Sequence, residues 1–123
     1  MTEALLLVGN DMNILYLLRR YAEESRFDTT CLSPGEDAVA VAQQIKPAAI
    51  ILQAELLREQ DVLSRLKKSA ATRSIPVVSY VGLIEETSQP MVGVAGCLCD
   101  PVSYGDFLAA LENIGISPGG LSP

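Results

Sequence analysis

Two polar side chains stand where apolar runs end. Gln53 follows five consecutive apolar residues, 48–52, and Asn10 follows the apolar run Ala4–Val8 after one glycine. An apolar run without alternation predicts a strand that is buried on both faces, as in the centre of a parallel sheet. Because open α/β sheets bind ligands at the carboxyl ends of their strands, we expect both side chains at one rim. The chemical groups offered there are amides.

Two further pairs could bind a metal ion. Cys97 and Cys99 form a Cys-x-Cys pair, but the sequence contains no histidine, and half-buried structural thiols are the favoured interpretation. Asp11 and Asp100 could face the same rim and hold a cation weakly, although capping of the following helix is the favoured role of Asp11. We therefore predict neither a metal ion nor a cofactor.

Length and composition indicate one compact domain. The chain has 123 residues, of which 49% are apolar, enough to bury roughly two thirds of its unfolded surface. No apolar run approaches the ~20 residues that cross a bilayer. Three cysteines, an odd number, favour free thiols in a reducing compartment. The acidic start leads directly into a strand and does not look like a secretory signal, so we expect a cytoplasmic location.

The charge is unevenly distributed along the chain. The net charge is −6, yet all nine basic residues lie within residues 1–73, and every charged residue after them is acidic. The C-terminal part is therefore expected to repel nucleic acid and to attract a basic or apolar protein surface. A purely solvating role explains the acidic residues equally well. For the basic residues around Lys67, a solvated helix face is the favoured interpretation.

Hydrophobic periodicity predicts alternating strands and helices. The predicted strands are Ala4–Val8, Phe27–Leu32, 48–53, Ile75–Val81 and Val94–Cys99. The predicted helices include Met12–Ser25, Asp61–Ser69 and a weak helix at Leu83–Val92. Two more are predicted from their caps, one with Ser33 and Glu36, which carries Ile45 inward, and one with Ser103 and Asp106. In the first helix, we expect a buried stripe of Ile14, Leu17, Leu18 and Tyr21.

This alternation predicts an α/β fold. Right-handed crossovers place helices on both faces of a five-stranded parallel sheet. We expect residues 1–114 to form this domain and residues 115–123 to be a flexible tail or the root of a linker.

With this order of elements, the sequence resembles response-regulator receiver (CheY-like) domains over residues 4–114. The local matches are Ile14–Arg20, Lys46–Leu52, Ile75–Val78 and Gly93–Pro101. The resemblance implies a three-layer, flavodoxin-like sheet with strand order 2-1-3-4-5. It also implies a cis peptide bond between Asp100 and Pro101.

The residues that carry the chemistry of this family are replaced. Gly9 and Asn10 stand where the family has two acidic Mg²⁺ ligands, and Gln53 replaces the aspartate that accepts phosphate. Val81 replaces a Thr or Ser, and Asp100 replaces a lysine. A phosphoryl acceptor must be a nucleophile such as carboxylate, and a hard cation needs anionic oxygen ligands. The resemblance therefore indicates a pseudo-receiver that keeps the scaffold without the reaction.

The resemblance implies a role in two-component (phosphorelay) signalling. We predict a non-enzymatic domain that binds a protein partner or a second copy, and neither nucleic acid nor membrane. The expected surface comprises the weak helix, the last strand and the last helix, with Leu83, Ile84, Glu85, Glu86, Cys97, Tyr104 and Asp106. Cys97 replaces the aromatic switch residue of the family. Two alternatives stay open: an atypical receiver that is phosphorylated, and a small-molecule or redox sensor that uses the rim or the cysteine pair.

Overall fold

The computed structural model describes residues 4–9, 12–32, 38–53, 62–81, 95–99 and 102–116. In chain order the elements are β1 (Ala4–Val8), α1 (Met12–Glu24), β2 (Asp28–Leu32), α2 (Ala38–Ile45), β3 (Ala49–Gln53), α3 (Val62–Lys68), β4 (Val77–Val81), β5 (Gly96–Cys99) and α4 (Tyr104–Asn113). The predicted order is confirmed. The predicted weak helix at Leu83–Val92 and the cap formed by Ser33 and Glu36 lie outside the described residues.

The sheet has five parallel strands in the order β2-β1-β3-β4-β5. The flavodoxin-like order 2-1-3-4-5 is therefore confirmed. In β1, the consecutive residues Leu5, Leu6 and Leu7 are all fully buried, as are the consecutive residues Ala49 and Ile50 in β3. Successive side chains of a strand point to opposite faces, so burial of consecutive residues requires cover on both faces of the sheet.

That cover divides the core into two clusters. Leu5 and Leu7 of β1 pack in one cluster with residues of α1 and α4. Leu6 and Val8 pack in the other, with residues of α2 and with Leu66 of α3. The result is the expected three-layer arrangement of helices, sheet and helices.

The buried stripe of α1 differs from the expected one. Leu15, Leu18 and Ala22 are the buried residues of this helix, whereas Ile14 and Tyr21 are partly buried at the edge of the cluster. The buried stripe is shifted toward Ala22, and Tyr21 lies at its edge, where its hydroxyl donates a 2.9 Å hydrogen bond to the carbonyl oxygen of Val102. Leu17, which is also predicted for the stripe, is partly buried.

Helices α1 and α2 end without glycine. Arg26 and Lys46 adopt left-handed backbone angles, with φ of 63° and 48°. The N–H of Phe27 donates to the carbonyl of Ala22, and the N–H of Lys46 donates to the carbonyl of Ala42. These bonds satisfy carbonyl groups that a helix end leaves open, which offsets part of the cost of a left-handed residue that has a Cβ.

Helix α4 begins with the predicted capping box. The Ser103 hydroxyl accepts from the N–H of Asp106, and the Asp106 carboxylate accepts from the N–H of Ser103. At its other end, Gly115 has φ of 89°, and the N–H of Ile116 donates to the carbonyl of Leu111. Ile116 is buried in the core, so packing continues beyond residue 114. The tail after residue 116 lies outside the described part.

The turn after α3 is held by polar side chains. The Lys67 ammonium donates to the carbonyl oxygens of Arg73 and Ile75, and the buried Thr72 hydroxyl donates to the carbonyl of Leu66. Arg65, Lys68 and Arg73 are exposed, as expected of a solvated helix face, whereas Lys67 is bonded to the turn and differs from that expectation. None of the described helices is both long enough and apolar enough to span a bilayer.

The two-sided burial of β1 predicts a large cost for truncating one of its side chains. Leu7→Ala removes a side chain with 0% exposure, and the free energy of unfolding should fall by about 2–5 kcal/mol. Met12, which is 72% exposed on α1, provides the control: Met12→Ala should change it by less than about 0.5 kcal/mol. Urea denaturation monitored by circular dichroism measures both, and equal shifts would contradict the assignment of the core.

Candidate functional site

The carboxyl ends of the central strands form the expected rim. Gln53 is the last residue of β3 and Val81 the last of β4. Val8 lies level with Leu52, which places Gly9 beside Gln53, and Tyr80 lies level with Gln53 on the other side. The structure therefore brings the predicted positions Gly9 and Gln53 together, with Val81 one residue beyond Tyr80.

Three predicted rim residues lie outside the described part. These are Asn10, Asp11 and Asp100, so the proposed cation pair and the cis peptide bond before Pro101 stay predictions. Ser79, which could supply a hydroxyl only if β4 were shifted by two residues, lies level with Leu52. It is therefore one residue below the level of Gln53, and the register leaves Val81 as the strand end.

The side chain of Gln53 lies against Gly9. A Cβ built on Gly9 would be 2.9 Å from Oε1 of Gln53, 3.5 Å from its Cβ and 3.6 Å from Cδ2 of Leu15. The first distance is too short for a carbon and an oxygen atom, so one of them would have to move. The amide oxygen is the outer end of a flexible side chain and can turn away from position 9. Gly9 and Gln53 are therefore in direct contact, and a side chain at position 9 requires a different position of the Gln53 amide.

The space beneath this pair is nearly filled. A cavity of about 10 Å³ remains, lined by Val8, Gly9, Ile14, Leu15, Leu18, Ile51, Gln53 and Tyr80. A cavity must offer about 10–15 Å³ to hold a single water molecule. Its lining is mostly apolar, and a phosphoryl group or a hydrated ion is far larger. The space beneath Gly9 and Gln53 therefore cannot hold either of them.

The described rim residues offer little to a cation. Gly9 contributes no side chain and Gln53 a neutral amide oxygen. Within the described ranges, no group of three His, Cys, Asp or Glu residues is placed to hold a metal ion. Mg²⁺ and Ca²⁺ are held in proteins mainly by carboxylates, so the described half of the rim does not fit such an ion.

Two residues of the predicted partner surface are described together with their side chains, and both have roles within the domain. The carboxylate of Asp106 belongs to the capping box of α4. The ring centroid of Tyr104 lies 5.5 Å from that of Tyr21. Cys97 lies in β5, with its backbone level with Ser79. The remaining residues of that surface, Leu83, Ile84, Glu85 and Glu86, lie outside the described part, and the surface stays a prediction.

An open groove of about 510 Å³ lies on the exposed face of α1, lined by Tyr16, Arg19, Arg20, Glu23 and Glu24. Nε of Arg19 is 3.0 Å from a carboxylate oxygen of Glu23, and Nη1 of Arg20 donates to the Tyr16 hydroxyl at 3.2 Å. These contacts join residues four apart on one helix and contribute little to stability when exposed.

Tyr80 is a rim residue that sequence reasoning missed. It is 4% exposed and lines the cavity beside Gln53. The sequence predicted a rim position only at the last residue of each strand. For β4, that residue is Val81. In a parallel pair the strand ends need not be level, and here the residue before the end of β4 lies opposite the end of β3. The register of β3 against β4 places Tyr80 at the rim, and the sequence alone does not show this register.

The contact between Gly9 and Gln53 can be tested by a double-mutant cycle. Gly9→Ala should lower the free energy of unfolding slightly, because the new Cβ turns the flexible Gln53 amide away from its present position. In a Gln53→Ala background that obstacle is gone, and Gly9→Ala should instead raise stability by about 0.4–1 kcal/mol through the entropy of the unfolded chain. The coupling energy should be at least about 0.5 kcal/mol.

The control for this cycle is Gly105→Ala in the first turn of α4. The nearest atom to a Cβ on Gly105 is Oγ of Ser103 at 3.8 Å, an ordinary contact. Its effect on urea denaturation should be the same in the unaltered chain and in the Gln53→Ala background. If the effects of the Gly9 and Gln53 substitutions on the free energy of unfolding were additive, the two positions would be independent.

Cys31 gives a pH-dependent test of thiol reactivity. It lies exposed on β2, yet the partial burial of its sulfur raises the pKa of the thiol, an effect that nearby Arg19 opposes. Less thiolate is then present at a given pH, so iodoacetamide should label Cys31 more slowly at pH ~8 in the folded chain than in urea. Peptide mapping separates Cys31 from Cys97 and Cys99. Faster labelling of the folded chain would indicate an activated thiol.

No protein-family model matches the sequence, and no curated protein matches it. Solved structures do match. The chemotaxis response regulator CheY4 of Vibrio cholerae has a TM-score of 0.79 at 16% identity, covering 93% of this chain and 99% of that chain. A response regulator from Desulfuromonas acetoxidans has a TM-score of 0.77 at 24% identity, covering 91% and 95%.

The bacteriophytochrome response regulator RtBRR has a TM-score of 0.68 at 26% identity, covering 100% of this chain and 84% of that chain. The likeness covers at least 91% of this chain and at least 84% of each of these three chains. Identities this low are evidence for the fold. This chain therefore has the receiver (CheY-like) fold of response regulators.

Proposed function

We propose that this chain is a pseudo-receiver domain of two-component signalling, which acts through protein–protein contact and is not phosphorylated. The observation that carries this proposal is the contact at the rim, where the Gln53 amide oxygen fills the space that a side chain at position 9 would need. The fold of a receiver is present, while Gly9 and Gln53, the two predicted rim residues whose side-chain positions are described, carry no charge.

Each replaced residue removes a separate requirement of phosphoryl transfer. The amide of Gln53 is not a nucleophile comparable to a carboxylate. Gly9 offers no oxygen ligand and Asn10 only a neutral one, whereas Mg²⁺ needs anionic oxygens. Val81 cannot donate a hydrogen bond, and the negative charge of Asp100 would repel a phosphoryl group in place of stabilising it. Restoring one group would leave the other requirements unmet.

The proposed contact surface is the C-terminal side of the domain. It comprises Leu83, Ile84, Glu85, Glu86, Cys97, Tyr104 and Asp106, and no basic residue follows Arg73 in the sequence. An acidic surface with apolar residues suits a protein partner with basic or apolar side chains, or a second copy, and repels nucleic acid. A cytoplasmic location and the absence of enzymatic activity belong to the same proposal.

The decisive experiment is incubation of the full chain with acetyl phosphate and Mg²⁺, followed by intact mass measurement. We expect no adduct of about 80 Da, the mass of one phosphoryl group. A phosphorylatable response regulator treated in parallel shows that the assay works. A stable adduct on this chain would overturn the proposal in favour of an atypical, phosphorylated receiver.

Gln53→Asp tests whether the acceptor alone is missing. We expect no labelling by acetyl phosphate, because the acidic metal ligands and the positive charge at the rim are still absent. Gln53→Asn is the matched control, since it has nearly the same size as the Asp variant and no charge. Labelling of the Asp variant that the Asn variant lacks would show that the other replacements matter less than proposed.

A further inference from the structure

Two side-chain contacts join the end of α1 to the region where α4 begins. The Tyr21 hydroxyl donates to the carbonyl oxygen of Val102 at 2.9 Å. The hydroxyls of Ser25 and Tyr104 lie 2.9 Å apart. The partners are 81 residues apart in the first contact and 79 in the second. Both contacts reach the connection that leads from β5 into α4.

The donor in the contact between Ser25 and Tyr104 follows from the number of hydroxyl protons. The Ser25 hydroxyl has one proton and donates it to the carbonyl oxygen of Tyr21 at 2.9 Å. The Tyr104 hydroxyl must therefore be the donor to Ser25. A relay runs from Tyr104 through Ser25 to the backbone of α1. Ser25 is 3% exposed and Val102 4% exposed, so water competes poorly for these bonds.

The aromatic rings support the same junction. The ring of Tyr21 lies between Tyr104, at a centroid distance of 5.5 Å, and Phe107, at 5.8 Å. The rings are tilted by 48° and 49°, within the range of favourable aromatic pairs. Phe107 is fully buried. Tyr21 is thus the central member, with a ring contact to each of two α4 residues and a hydrogen bond to the residue that precedes the cap.

We propose that Tyr21, Ser25 and Tyr104 form a hydroxyl clamp through which α1 sets the position of the connection between β5 and α4. Val102 is two residues after Asp100, the last predicted rim position, and one before Ser103, the cap of α4. The clamp therefore holds residues 102–104 against the end of α1. Because Tyr104 belongs to the proposed partner surface, the clamp fixes that part of the surface without a phosphate-driven switch, and this statement rests on the proposed function.

Hydrogen exchange of the full chain, followed by NMR, tests the clamp. Tyr21→Phe keeps the ring and removes the bond to Val102. The amides of Asp106 and Phe107, which donate to Ser103, should exchange roughly tenfold faster, as expected for losing one hydrogen bond of ordinary strength. The amide of Ala48, which donates to Ala4 at 2.7 Å, reports on the sheet and should not change.

Tyr16→Phe is the matched control, since it removes a tyrosine hydroxyl from the exposed face of the same helix and should leave all these amides unchanged. Tyr104→Phe and Ser25→Ala should each accelerate the same α4 amides. Because one broken bond already frees the connection, the Tyr21→Phe/Tyr104→Phe double variant should accelerate them by less than the product of the single effects.

Three results would overturn the clamp: no acceleration in Tyr21→Phe, acceleration at Ala48 to the same degree, or effects in the double variant that simply multiply. The first would mean that the bond does not hold the connection, and the second that only global stability changed. The acetyl phosphate experiment is separate. A phosphorylated chain with an intact exchange pattern would overturn the proposed function and leave the clamp standing.

Discussion

Burial of two neighbouring strands on both faces is the constraint on which this structure depends. The side chains of β1 and β3 are apolar at successive positions, so neither face of the sheet can be left to water. Helices α1 and α4 cover one face, and α2 and α3 cover the other. Parallel neighbours need long crossovers, and these crossovers supply the helices. The carboxyl ends of the strands then meet at one rim whatever residues stand there.

The scaffold and the rim chemistry are consequently separable. Leu5, Leu6, Ile50 and Ile51 could be exchanged for other aliphatic residues of similar volume at small cost, which is how a fold can be shared at 16% identity with CheY4 of Vibrio cholerae. Rim chemistry has no such tolerance, because a carboxylate and an amide of similar shape differ in charge and nucleophilicity. The fold is kept by many interchangeable residues, and the reaction by a few that are not.

This difference also determines how much could be predicted from the sequence. The apolar runs of β1 and β3 and the capping box of Ser103 and Asp106 are local patterns, and the structure has them where they were expected. The bond between Tyr21 and Val102, at the edge of the buried stripe of α1, was not foreseeable, because the two residues are far apart in the chain. The ends of α1 and α2 were not foreseeable either, because Arg26 and Lys46 stand where a glycine would have marked the end of a helix in the sequence.

At the candidate site, the sequence indicated the position of Gln53 but not the direction of its side chain. The contact with Gly9 requires the register of β1 against β3, and the role of Tyr80 requires that of β3 against β4. Register is decided by packing of the whole sheet. A glycine after a strand is ordinarily interpreted as a turn residue, and only the three-dimensional structure shows that it makes room for an amide oxygen.

The contact between Gly9 and Gln53 also bears on how substitutions at the two positions combine. A larger side chain at position 9 needs the space that the Gln53 amide now fills, so the amide has to turn away. The effect of a change at one position therefore depends on the residue at the other, since the energies of residues in contact do not simply add.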